Sequence, residues 1–151
     1  MTQITSSLRR DANRVPIQVH GIIETKTITY TATGDGATGA LDLFTVTGDV
    51  LATVFAVCGT TLTSGAGATI EIGIAGNIAS LIAQTTATDI DANEVWIDTA
   101  PATVEALPGD KILTNGTDII QTVATDTVTA GAITFYCIWT PLSSSANITS
   151  A

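Results

Sequence analysis

Several runs of this chain alternate apolar and polar residues with a period of two, the spacing of a strand with one buried face. In ATIEIGI (68–74), Ile70, Ile72 and Ile74 point one way and Thr69, Glu71 and Gly73 the other. In IIETKTITYT (22–31), Ile23 and the threonines share one face, while Ile28 and Tyr30 share the opposite one. Two runs differ in kind. VLATVFAVC (50–58) is apolar on both faces, which predicts a central strand covered on each side. GAITFYCIWT (131–140) is bulky on both faces, with Ile133, Phe135, Cys137 and Trp139 on one and Tyr136 and Ile138 on the other.

Further strands are predicted over 41–47, 93–98, 110–114 and 117–124, with a short one around Val104. IASLIAQT (78–85) is ambiguous, because Ile78, Leu81 and Ile82 also fit one helical turn. ATGDGATG (32–39) and GTTLTSGAG (59–67) read as loops, and Asn115-Gly116 between two apolar runs reads as a hairpin turn. Pro16, in VPIQVH, suits an edge strand or an extended lead-in. About eight to ten strands at spacings of roughly 8–12 residues, without amphipathic helices to cross between parallel strands, predict a sandwich or barrel. The expected fold is therefore all-β: an antiparallel, jelly-roll-like β-sandwich over 15–142. An extended N-terminal arm over 1–14 precedes it and a polar tail over 143–151 follows it.

Composition agrees. The chain is 151 residues long, 45% hydrophobic and only 5% aromatic. It is rich in Thr, Val and Ile, whose branched side chains suit a pleated sheet better than a helix. Charge adds a second feature. Residues 1–26 hold Arg9, Arg10, Arg14 and Lys26 against Asp11 and Glu24. The residues after them hold one base, Lys111, against 12 acids, which leaves −11. A body this acidic repels phosphate backbones, so nucleic acid is not an expected partner. A basic arm on an acidic body suits an acidic protein surface, with Arg9, Arg10 and Arg14 as the candidate contacts. No signal-peptide pattern or membrane-spanning run is present, and synthesis in a cytoplasm is the simplest expectation. Cys58 and Cys137 lie in apolar strand patterns and are expected to be buried free thiols.

Candidate chemistry is sparse. Gly34, Gly36 and Gly39 fit a G-x-G-x-x-G spacing, but a strand pattern follows them where a dinucleotide site needs a helix, and Asp35 would repel phosphate. Asp89, Asp91 and Asn93 resemble the start of a calcium loop, yet the positions that need Gly and Glu hold Glu94 and Ala100. His20 is the only histidine and has no flanking signature, and one His with two distant Cys gives no zinc spacing. No catalytic residue, metal or cofactor is expected. Two of the acids meeting in a cleft would make a hydrolase. Trp96, Trp139, Tyr30 and Tyr136 would make a sugar platform, although tryptophans on strands more often fill a core or a subunit contact.

Four stretches carry a resemblance: MTQITSSLRRDANRVPI, LFTVTGDVLATVFAVC, ATIEIGIAGNIASLIAQTTATDIDANEVWID and AGAITFYCIWTPLS. In style and order of segments the chain resembles small virion structural proteins of tailed bacteriophages, especially capsid decoration (cement) proteins. That resemblance implies a homo-oligomeric β-sandwich knob, a trimer, bound to the major capsid protein on the outer capsid surface. It implies no enzymatic step and no membrane. Tyr136 and Ile138 are then candidates for an oligomer interface. The alternative is a phage tail or fibre component, or another carbohydrate-binding β-sandwich module.

Overall fold

The computed structural model describes residues 21–151. Ten strands follow in order: β1 (Ile22–Thr29), β2 (Gly39–Thr47), β3 (Val50–Ser64), β4 (Thr69–Ile74), β5 (Asn77–Thr86), β6 (Val95–Trp96), β7 (Lys111–Leu113), β8 (Ile119–Ala124), β9 (Val128–Pro141) and β10 (Asn147–Ser150). One 3₁₀ turn, Ala87–Asp89, separates β5 from β6. Among the described residues no helix is long and apolar enough to cross a membrane.

The strands form two sheets. The first runs β1-β9-β3-β6, with β7 pairing the same strand β3, and the second runs β10-β2-β8-β4-β5. All of these pairings are antiparallel. The chain passes repeatedly from one sheet to the other, so strands adjacent in sequence mostly lie in different layers. This is a jelly-roll sandwich.

The core lies where the alternation places it. Ile133, Phe135, Cys137 and Trp139 of β9 are buried, as are Val50, Ala52, Val54, Ala56 and Cys58 of β3. Ala56 lies opposite Phe135 on one side and Trp96 on the other. Its small side chain lets the two rings meet edge-on, centroids 6.3 Å apart. Two buried side-chain hydrogen bonds tie the layers together. The Tyr30 hydroxyl, just after β1, donates to Oε1 of Gln121 on β8 at 2.5 Å. The Trp96 indole N–H on β6 donates to Thr85 Oγ1 on β5 at 2.9 Å.

Five local expectations change. Residues 78–85 are strand, because pairing with β4 turns Ile82 and Thr85 into the core and overrides the helical spacing. The stretch 59–64 is not loop: β3 continues through it with bulges, and Leu62 is the buried anchor. Asn115-Gly116 is not a hairpin turn, since β7 belongs to the first sheet and β8 to the second. Asn115 instead fastens the crossover to the β2–β3 turn, accepting from the Gly48 N–H at 2.7 Å and donating its own N–H to Asp49 Oδ1 at 3.2 Å. The predicted strand at 93–98 shrinks to Val95–Trp96, and Val104 lies in the irregular segment before β7. Residues 143–151, read as a polar tail, contribute β10, whose Ile148 is buried against the core.

Candidate interaction surface

Strand register fixes which side chains the first sheet turns away from the second. Across β1 and β9, Ile23 lies opposite Ile138, Thr25 opposite Tyr136 and Thr27 opposite Thr134. Across β9 and β3, Ile138 lies opposite Thr53, Tyr136 opposite Phe55 and Thr134 opposite Val57. Leu51 continues the face to Ile112 on β7. These positions alternate with the core residues, so the same period of two that fills the sandwich builds this outer face.

Its centre is aromatic. Phe55 and Tyr136 stack with centroids 5.0 Å apart and planes 4° from parallel, both half-buried. Ile23 and Ile112 are exposed at either side, Ile112 by 70%. None of these side chains is charged, and Asp110 stands at the margin, where it accepts the hydroxyl of Thr53. Ahead of β7, Leu107 and Pro108 rise beside Asp110 and form one wall of a groove floored by Leu51, Thr53 and Ile138. An uncharged, aromatic-centred face of this kind matches the core of a protein–protein contact better than a solvated sheet face.

Tyr136 and Ile138 therefore share this face, as the alternation in 131–140 predicts. Arg9, Arg10 and Arg14 lie outside the described residues, as does His20. Phe55 is the residue that the sequence reading missed. The two-faced run 50–58 was expected to be covered on each side, but only its even-numbered face is packed by the second sheet, and Leu51, Phe55 and Val57 stay half-buried on the outer one.

The other candidate groups are drawn into structure. Trp96, Trp139 and Tyr30 are core residues, which leaves Tyr136 alone at the surface among the four aromatics of a sugar platform. At the acidic turn, Glu94 Oε2 accepts the Asp91 N–H at 3.0 Å, and Asn93 donates its N–H to the Cys58 carbonyl at 2.8 Å in a left-handed conformation, φ 70°. Among the described residues no three His, Cys, Asp or Glu side chains gather where a metal ion would be held. Asp42 and Asp118 border a shallow hollow on the second sheet, where Asp118 accepts the Val46 N–H at 2.7 Å. Of the glycine-rich loop, Gly39 opens strand β2 rather than a helix. Gly36 is required by packing, since a Cβ there would fall 1.9 Å from the Val128 carbonyl oxygen.

Cys58 and Cys137 are buried and unbridged. Burial pushes the Cys137 thiol up to about 12, with Glu24 adding to the shift, and burial likewise raises Cys58. Neither is a ready nucleophile at neutral pH. Comparison of the chain with protein-family models, with curated proteins and with solved structures finds no match in any of the three.

Proposed function

We propose that this chain is a virion structural protein, a capsid decoration subunit that binds the outer surface of a shell built of major capsid protein and stabilises it. The observation that carries this reading is the uncharged face centred on Phe55 and Tyr136, set on a body that is otherwise strongly acidic. Copies of an acidic body repel one another, and contact through a patch without like charge relieves that cost. Such a face suits packing against sibling subunits around a threefold axis. The basic arm, with Arg9, Arg10 and Arg14, supplies the second contact, because guanidinium groups grip carboxylates in two places. A trimer with three modest footholds then holds a shell far more tightly than one subunit does.

Two variants test the two contacts separately. Deleting residues 1–14 leaves a folded oligomer that no longer binds expanded shells. Tyr136→Glu places a charge at the centre of the face and lowers the mass measured by light scattering, with the far-ultraviolet spectrum unchanged. A truncated protein that binds shells as tightly as the intact one removes the arm from the reading. A wild-type chain that is monomeric at every concentration removes the trimer.

A further inference from the structure

One row of outward side chains crosses the first sheet and differs at its two ends. In register it runs from Ile23 on β1 to Ile138 on β9 and Thr53 on β3, and Thr53 donates its hydroxyl to Asp110 beyond. Leu107 and Pro108 stand beside Asp110, so that end carries a wall, whereas the other end stops at the edge strand β1. Two strand spacings, about 10 Å, separate Ile23 from Thr53.

Both ends are apolar and open. Ile23 is 57% and Leu107 54% exposed, and Val104, in the same irregular segment as Leu107, is 84% exposed. The two ends also bring no like charges together. Glu24 and Lys26 lie on the inward side of β1, opposite Cys137 and Phe135, and the outward positions of that strand are Ile23, Thr25 and Thr27. Glu105 and Asp110, the acids of the walled end, therefore meet no acid when that end approaches the β1 end of another copy. On a body that holds 12 acids against one base after residue 26, such an approach escapes the repulsion that most others would meet. A row with a wall at one end and a bare isoleucine at the other is complementary to its own reverse.

We propose that the Leu107–Pro108 wall of one copy seats against Ile23 and Ile138 of another, so that the groove is filled by a second copy of this chain. The contact joins two different patches, which is what any closed ring of copies requires; a twofold pair makes it twice, by laying the row on its own reverse. It rests on the sibling packing proposed above and names the surface that the sibling presents. The stack of Phe55 and Tyr136 lies two positions further along β3 and β9, next to this contact.

Cross-linking between single variants reads the contact directly. Ile23→Cys and Leu107→Cys fall at exposed positions, and Cys58 and Cys137 are buried, so a short bis-maleimide reports on the introduced thiols. In a mixture of the two variants it should join one to the other about ten-fold more than either to itself, because only a formed contact holds two thiols at a high effective concentration. Leu107→Asp should lower the mass measured by light scattering, whereas Ile78→Asp, exposed on β5 of the second sheet, should leave it unchanged. If the wild-type chain associates but the two positions are joined no more than each to itself, this contact is overturned and the sibling packing stands. A wild-type chain that is monomeric at every concentration overturns both. In the double variant, covalent products that stop at three copies support the contact within a ring. Products that stop at two support it within a twofold pair and remove the trimer.

Discussion

Replacing Tyr30 by Phe removes a single oxygen from one of the two buried bonds that join the sheets. The hydroxyl donates to Gln121 Oε1 at 2.5 Å, and the two residues are 2% and 1% exposed. Phenylalanine keeps the ring and its packing, so the loss is confined to hydrogen bonding. The net value of such a bond is about 0.5–1.5 kcal/mol, but a buried acceptor left without a donor carries its own desolvation cost, so the expected loss is about 1–3 kcal/mol. Urea unfolding should show a lower midpoint with an unchanged slope. In a domain of this size each kcal/mol corresponds to roughly 2–4 °C in Tm. Adding Gln121→Met removes the stranded oxygen, so the double variant should be more stable than the sum of the two single losses implies. A loss below about 0.5 kcal/mol for Tyr30→Phe, or single losses that simply add, would refute the view that this bond is a sheet-to-sheet tie rather than an incidental contact.

Two further outcomes follow from the core. Gly36→Ala forces a methyl group onto the Val128 carbonyl oxygen and should destabilise by about 1–3 kcal/mol, read as a lower urea midpoint; a neutral variant would show that the 32–36 turn yields freely. The fold holds the Cys137 proton to about 12, whereas an unfolded thiol loses it near 9.0. The unfolded chain therefore binds fewer protons above that value, and stability that is complete below pH 9 declines as pH rises towards 12. Cys137→Ala should flatten this alkaline decline when urea midpoints at neutral and alkaline pH are compared, and Tyr30, whose proton burial also retains, accounts for part of what persists. An unchanged alkaline slope in Cys137→Ala would contradict this assignment.

The period of two in 68–74 and 131–140 was sufficient to assign strand and facing, because each residue's side was dictated by a neighbour two positions away. Where the structure departs from the sequence reading, a distant partner decides. IASLIAQT carries a helical spacing and a strand spacing at once, and only pairing with β4 selects between them. Asn115-Gly116 has the chemistry of a hairpin turn, but its side chain and backbone find partners at Gly48 and Asp49, so the flanking runs join different sheets. The outer face was half legible. Tyr136 and Ile138 stood out because β9 carries bulk on both sides, whereas Phe55 was hidden in a run apolar enough to suit a strand covered on both faces. A sequence run cannot say whether its second apolar face meets a layer of its own fold or is left for something else.

The edges of the sandwich bear on how copies can meet. Glu24 and Lys26 sit on edge strand β1 at the positions opposite Cys137 and Phe135, the side that faces inward. Lys26 donates to the main-chain oxygens of Asp42 at 2.9 Å and Ala151 at 2.6 Å, and Glu24 accepts the Ser150 N–H at 3.1 Å. Two charged side chains thus close the open side of the sandwich between β1 and β10. Inward-pointing charge of this kind is a recognised guard against strand-to-strand pairing between copies. Sheet extension, which propagates without limit when its rotation does not close, is thereby disfavoured at the β1 edge. On the reading proposed above, copies would meet instead through the uncharged face around Phe55 and Tyr136. A contact between faces can close around an axis with a fixed number of copies, which is what a subunit of defined stoichiometry requires.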